Sequence, residues 1–169
     1  QLLAEPGTLC VPNPVYFDED WLIMDAFRTG AAAPDWQERM GRGLALLHQA
    51  TKRNKFGFSI DNYLGTSLQG NTWQDNWLSF WGDQRLGYQL RLFSQHAQAD
   101  DPLLQGGARL LDQLEDILAC GKESAVLLHG DLWSGNAAAN DKGEPVIFDP
   151  ASYYGHREAE FGMMRLFGG

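Results

Sequence analysis

Apolar residues recur along this chain in two rhythms, and the switches between them mark out its elements. Val11 to Tyr16, punctuated by Pro12 and Pro14, has the pattern of an edge strand, and Trp21 to Asp25 is a second short apolar run. Asp18-Glu19-Asp20 supplies turn chemistry between them, so the pair predicts a hairpin. After Pro34-Asp35 the spacing becomes helical. Trp36, Met40, Leu44 and Leu47 fall on one stripe and predict a helix to about Ala50. Proline suits a first helical turn, and an aspartate there meets the positive end of the helix dipole. Residues 53 to 73 are polar and carry Gly57, Gly65 and Gly70, which reads as loop. A helix is expected from about Gln74 to Ala97, with a core-like stripe of Trp77, Phe80, Trp81, Tyr88 and Phe93. Another is expected from about Pro102 to Cys120, carried by seven apolar positions from Leu103 to Leu118 at helical spacing. Ala125 to Leu128 reads as a short apolar strand. Ala137 to Ala139 and Pro145 to Phe148 read as two strands joined by the turn Asn140-Asp141-Lys142-Gly143. A last helix is expected from Ala159 to Phe167.

Composition narrows the partners. A chain of 169 residues suits one domain with a sizeable core. Thirteen basic against 22 acidic residues leave a net charge of −9, which argues against nucleic acid or an anionic membrane as partner. No run of about eighteen apolar residues occurs, so no membrane span is expected. Cys10 and Cys120 lie far apart without metal-ligand spacing. They read as free thiols of a reducing compartment, and a cytoplasmic location is the corresponding expectation.

The chemistry is concentrated in one stretch, His129-Gly130-Asp131-Leu132-Trp133-Ser134-Gly135-Asn136, read with Asp149-Pro150-Ala151 beyond it. That is the layout of a phosphoryl-transfer site. Asp131 is the candidate general base that accepts a hydroxyl proton, and Asn136 and Asp149 are the candidate magnesium ligands on the ATP phosphates. Magnesium prefers oxygen donors and keeps positions for water and phosphate, so one carboxylate and one amide oxygen suit it. The hairpin after Asn136 would bring Asn136 and Asp149 side by side at its open end. His129 is expected to brace the loop by hydrogen bonding to backbone near Asp149, and Gly130 and Gly135 to permit its tight turns. Trp133 is a candidate wall of the acceptor site, and His156 a candidate at its border.

These residues resemble the fructosamine kinase family. The resemblance is carried by His129 to Asn136, by Phe148-Asp149-Pro150-Ala151 and by Tyr153-Tyr154-Gly155-His156-Arg157-Glu158. Asn76-Trp77 through Phe80, Gln84-Arg85-Leu86, Gln89-Leu90, and Leu44-Ala45-Leu46-Leu47-His48 match further family patterns. The resemblance implies an α+β fold of the protein-kinase-like, aminoglycoside-phosphotransferase type. It would comprise a mostly helical C-terminal lobe, a short β-hairpin at the catalytic site and an N-terminal hinge hairpin. It also implies ATP and Mg²⁺ as cofactors. The implied substrate is a small-molecule or protein-bound ketosamine, phosphorylated on its sugar 3-hydroxyl so that the adduct breaks down and frees the amine. Hinge backbone at Met24, Asp25, Ala26 and Phe27 is then expected to meet the adenine edge.

Gly130 stands where protein kinases carry an arginine that pairs with a phosphorylated loop, which points away from such a switch. The four lysines, Lys52, Lys55, Lys122 and Lys142, do not sit in a Val-Ala-Ile-Lys-like strand, and no Gly-x-Gly-x-x-Gly precedes a strand pair. The chain therefore reads as part of a longer protein. Residues 1–27 would be the end of a small lobe and its hinge, and residues 28–169 a catalytic and substrate-binding lobe. Taken alone, the chain is expected to be poorly active. The competing expectations are another small-molecule kinase of the same fold, acting on an aminoglycoside, choline or homoserine, and a non-catalytic binding module.

Overall fold

The structure is a computed structural model that describes residues 1–118 and 123–166. In chain order its elements are β1 (Pro14–Phe17), β2 (Leu22–Met24), α1 (Trp36–Ala50), β3 (Asn62–Leu64), β4 (Ser67–Gln69), α2 (Trp77–Trp81) and α3 (Gly87–Ser94). They continue as α4 (Pro102–Asp112), α5 (Leu114–Leu118), β5 (Val126–Leu128), β6 (Ala137–Ala139), β7 (Pro145–Ile147), β8 (Tyr153–Gly155) and α6 (Ala159–Leu166). This is a mixed α+β fold whose strands are all short. Among the described residues, no helix is long and apolar enough to cross a membrane. The expected end of the third helix at Cys120, Lys122, and the end of the last helix at Phe167 fall outside the described residues.

The chain forms two compact units. The first comprises residues 1–52, 126–152 and 157–169. Its core gathers Leu3, Met40, Leu44, Leu47, the whole of β5, Leu132, Val146, Ile147 and Ala151. Helix α1 buries the predicted stripe at Met40, Leu44 and Leu47, while Trp36 stays partly exposed. The end of α1 is tied to β5 through Thr51, whose hydroxyl donates to the Leu47 carbonyl and accepts the Leu127 N–H at 3.0 Å. β1 and β2 form the expected hairpin, with Pro14 opposite Met24 and an irregular register before Tyr16. Upstream of it the main chain is tied to β7, with the Ile147 N–H donating to the Cys10 carbonyl at 3.0 Å.

The second unit comprises residues 53–125 and 153–156. Two of its features depart from the sequence reading. The stretch expected to be loop contains the β3–β4 hairpin, with Tyr63 opposite Leu68 and Gly65 in the left-handed region at its tip, φ +59°. The helix expected to run unbroken from Gln74 to Ala97 spans Trp77–Ser94 and has a π-helical stretch at Gly82–Leu86 between α2 and α3. The wider turn brings the Gly82 carbonyl against the α-carbon of Gly87, where any side chain would collide. It also delivers Arg85 to the aromatic core. The guanidinium lies 4.6 Å from the Phe80 ring centre and 4.2 Å from that of Tyr153, and donates to the Gly70 carbonyl and to Asn71 Oδ1. Arg85 thus pins the loop that follows β4.

Two glycines of α1 separate helix propensity from packing. A Cβ at Gly41 would meet nothing within 4 Å, whereas at Gly43 it would collide with the Leu9 side chain and lie 2.8 Å from the Thr8 carbonyl oxygen. Gly41→Ala is expected to stabilise the fold by about 0.5–1 kcal/mol through lost unfolded-state freedom. Gly43→Ala is expected to destabilise it by about 1–3 kcal/mol through overpacking. Chemical denaturation of the two variants checks this; equal shifts of either sign would contradict the packing of residues 8 and 9 on α1.

Candidate functional site

β5 is buried along its whole length and carries the chain directly into His129, which is fully buried. The carbonyl of Phe148 can only accept a hydrogen bond, and it lies 2.9 Å from His129 Nε2. The Asp131 N–H can only donate, and it points at Nδ1 from 3.3 Å. The two partners together select the neutral Nε2–H tautomer. Burial agrees: it pushes the imidazole below its ordinary pKa, against the opposing pull of Glu160 and the Phe148 carbonyl. His129 thus joins the Asp131 loop to the residue just before Asp149.

A second anchor comes from far along the chain. Glu160, in the first turn of α6, is 1% exposed. Its Oε2 accepts the His129 N–H at 2.7 Å and its Oε1 accepts the Gly130 N–H at 3.0 Å. Two successive main-chain donors are thereby held by one carboxylate. Gly130 has φ +84°, a conformation that side chains other than glycine rarely adopt. The chain turns sharply there and presents Asp131.

The β6–β7 hairpin has the register Ala137 to Ile147, Ala138 to Val146 and Ala139 to Pro145. Asn140 closes its turn by accepting the N–H groups of Lys142 and Glu144, and Gly143 takes φ +76°. The pairing extends one step beyond the strands, where the Phe148 N–H donates to the Asn136 carbonyl at 3.1 Å. Asn136 and Asp149 therefore lie at the open end of the hairpin. The Asn136 amide nitrogen donates to the Asp131 carbonyl at 2.8 Å, to Asp131 Oδ2 at 3.0 Å and, more weakly, to the Asp149 carbonyl at 3.4 Å. Those acceptors fix the orientation of the amide and turn its oxygen away from Asp131. Asp149 is exposed and has φ +55°, the only non-glycine residue with positive φ among those described. A non-glycine residue in that region stores strain, and such strain gathers at functional sites.

Asp131 is partly buried, and its carboxyl is raised above the usual carboxylate range. Burial is the largest cause; the hydrogen bond from Asn136 and the nearby His129 oppose it, and the charges of Asp149 and Glu160 add to it. Among the described residues no group of three or more His, Cys, Asp or Glu side chains gathers in metal-binding geometry. A metal held by Asn136 and Asp149 would draw its other ligands from water and phosphate.

Trp133 lies half-buried beside a cavity of about 720 Å³, lined also by Trp36, Met40, Leu44, Phe161 and Met164. Its ring packs directly against the α-carbon of Gly135, where a Cβ would strike it. Gly135 lies in the expected tight turn, a single 3-10 turn at Ser134–Asn136, without positive φ, and the space its missing side chain leaves is taken by the indole. Just after β2, the Asp25 N–H is used by the Asn13 carbonyl. Among the described residues, the N–H groups of Ala26 and Phe27 have no main-chain acceptor. Asp25, Ala26 and Phe27 line a second cavity, of about 400 Å³, and Met24 pairs with Pro14. The Phe27 ring sits 5.8 Å from that of Phe148, the residue between β7 and Asp149. His156 belongs to the second unit. Its Nε2 lies 3.2 Å from Glu123, and its ring centre is 6.0 Å from that of Trp77. Glu160 was missed in the sequence, where it looks like an ordinary polar residue of a helix's first turn.

The sequence profile described as fructosamine kinase matches residues 1–169. The chain is 41% identical to a chloroplastic protein-ribulosamine 3-kinase of Arabidopsis thaliana over 169 residues, covering 96% of this chain and 51% of that protein. It is 38% identical to a probable ketoamine kinase of Synechocystis sp., covering 100% of this chain and 57% of the relative. Among solved structures, a putative fructosamine-3-kinase from Thermobifida fusca superposes with a TM-score of 0.81 at 34% identity, over 93% of this chain and 54% of that one. Another, from Haemophilus somnus, gives a TM-score of 0.84 at 26% identity, over 99% and 56%. The chain thus spans about half the length of the relatives it matches.

The raised Asp131 carboxyl has a stability consequence. A carboxyl whose folded pKa exceeds its unfolded value contributes stability that is fully present below the unfolded pKa and lost as pH rises through the folded one. At neutral pH that contribution is gone, and Asp131→Asn, which stays neutral, is expected to be more stable than the wild type. The gap should close as pH falls toward the ordinary aspartate value of 3.8. Thermal melts at pH 7 and near pH 4 check this; a destabilised variant at pH 7 would contradict the assigned direction.

Proposed function

As the chain belongs to the fructosamine kinase family, we propose that it carries the base and magnesium side of a site that transfers phosphate from ATP to the 3-hydroxyl of a ketosamine. The observation that supports this most is the convergence of Asp131, Asn136 and the Asp149 backbone through one amide group. The names of the relatives, a protein-ribulosamine 3-kinase and a probable ketoamine kinase, support the substrate class.

Asp131 is the base in this reading. Its Oδ2 is occupied by the Asn136 amide, which leaves Oδ1 to accept the proton of the attacking hydroxyl. Its raised carboxyl helps, since proton transfer is most effective when the base lies nearer the pKa range in which it works. The Asn136 oxygen, turned away from Asp131, and the Asp149 carboxylate are the residues that would hold magnesium. A carboxylate and an amide oxygen, with water and phosphate completing the shell, is donor chemistry that suits that ion. When bound, magnesium supplies charge neutralisation on the transferring phosphate. His129 does no proton chemistry; as a neutral brace it fixes where Asp131 stands relative to Asp149. Main-chain groups of Ala26 and Phe27 take the adenine edge, and Trp133 offers its ring to the apolar face of the sugar. Transfer is direct, with no phospho-enzyme intermediate. The fold in this reading is the large lobe of a kinase-like enzyme with its hinge, residues 1–27 being the hinge side.

The test is ADP release by the full-length protein over a panel of ribulosamine, fructosamine, aminoglycoside and amino-alcohol acceptors. Turnover is expected on ketosamines, with 31P NMR placing the new phosphate on the 3-hydroxyl. Asp131→Asn should lower kcat by about 10²–10⁴-fold. Turnover confined to aminoglycosides or amino alcohols, or an Asp131→Asn variant with near wild-type kcat, would overturn the reading.

A further inference from the structure

The support of the Asp131 loop extends to a residue that the proposed chemistry leaves unused. His48 lies in the last turn of α1, buried on the face that carries Leu44 and Leu47. Its Nε2 is shielded from solvent and has no hydrogen-bond partner. That atom faces Glu160 Oε2 from 3.9 Å. The separation is too long for a hydrogen bond, and a bridging water would need about 4.5–5.5 Å between the two groups. What remains is a direct electrostatic contact in a low-dielectric interior, where such contacts are strong.

Glu160 has unusual demands. Its side chain is fully buried, and both oxygens already serve the N–H groups of His129 and Gly130. A carboxylate in that position must stay ionised to keep two acceptors turned toward two donors, and an ionised group without compensation is costly to bury. The other groups around it do not supply the compensation. Asp131 and Asp149 carry like charge, and His129 is held neutral by its own partners. A ring N–H on His48 has the correct polarity, whether the imidazole is neutral or charged.

We propose that His48 is a positioning residue for the Asp131 loop, acting through Glu160: its ring N–H stabilises the ionised carboxylate and thereby the two main-chain hydrogen bonds that fix His129 and Gly130. The proposal rests on the reading of Asp131 as the base. Without the donor, the buried carboxylate loses the contact that faces Oε2, its two N–H bonds weaken, and Asp131 is no longer held in one place. The link between α1 and β5 through Thr51 does not pass through Glu160. It provides an internal control, because it should survive the loss of His48.

The test is amide hydrogen exchange, read residue by residue at His129, Gly130 and Leu127. His48→Leu is expected to speed exchange at His129 and Gly130 by about tenfold or more while leaving Leu127 unchanged. His48→Gln, whose amide can also donate to Glu160, should restore wild-type protection. In a Glu160→Gln background His48→Leu should have no further effect. Unchanged protection at His129 and Gly130 in His48→Leu would overturn the proposal, as would acceleration at all three amides together. If His48→Leu does not fold, the His48→Gln variant decides: loss of protection confined to His129 and Gly130 there contradicts the donor role, and wild-type protection supports it. In the full-length protein, His48→Leu should lower kcat with the KM for ATP unchanged, and a fall in ATP affinity alone would contradict the positioning role. Absence of turnover in the wild type would defeat the proposed function, while the exchange result would still decide the role of His48.

Discussion

Glu160 is a charged side chain almost without access to water, and the geometry of the candidate site follows from how that burial is made tolerable. Its two oxygens are satisfied by two consecutive main-chain N–H groups, those of His129 and Gly130. Charge-assisted hydrogen bonds of this kind are stronger than neutral ones, and losing one leaves a buried group unpaired. The carboxylate therefore fixes the chain at the point where it leaves the buried strand β5 and begins the turn to Asp131. His129 continues the same frame on its other side. Its neutral ring takes the Asp131 N–H at one nitrogen and gives a proton to the Phe148 carbonyl at the other.

The frame spans three separate stretches of sequence: the loop after β5, the end of the β6–β7 hairpin and the first turn of α6. Each contributes something the others lack. The hairpin places Asn136 and Asp149 at one end by strand register. The loop supplies Asp131, and Asn136 ties both together through its amide. Asp149 pays for its position with a left-handed backbone, and the proline after it limits how far that strain can relax. Such rigidity suits phosphoryl transfer, where positioning and charge placement matter more than covalent chemistry by the protein.

Much of this was legible in the sequence because it is local. The spacing from His129 to Asn136 and the turn chemistry at Asn140 to Gly143 are written in adjacent residues, and strand pairing follows from them. The stripe of α1 was equally plain. What escaped was non-local or hidden by a shared pattern. Glu160 acts 31 positions away from His129 and sits in a helical turn where an acidic residue is unremarkable. The π-helical stretch at Gly82–Leu86 keeps apolar residues near helical spacing, so periodicity passes over it; only Gly82 and Gly87 hint at the wider turn. The β3–β4 hairpin has strands of three residues each, too short to show a period inside a polar stretch, with Gly65 the turn signal at its tip. Gly135 sits in the tight turn expected of it, but the space it also leaves for an indole two residues earlier is not written in the spacing.

The frame makes a definite statement about one proton. If Glu160 and the two backbone partners hold His129 as described, its imidazole is neutral with the hydrogen on Nε2, and burial holds its pKa below the ordinary histidine value. Long-range 1H–15N correlation spectra of the His129 ring, recorded from about pH 5 to pH 8, read that state directly. The account predicts the pattern of a fixed Nε2–H tautomer with no titration near the ordinary value of 6.5. A His129 ring that titrates near that value, or one that carries its proton on Nδ1, would contradict it.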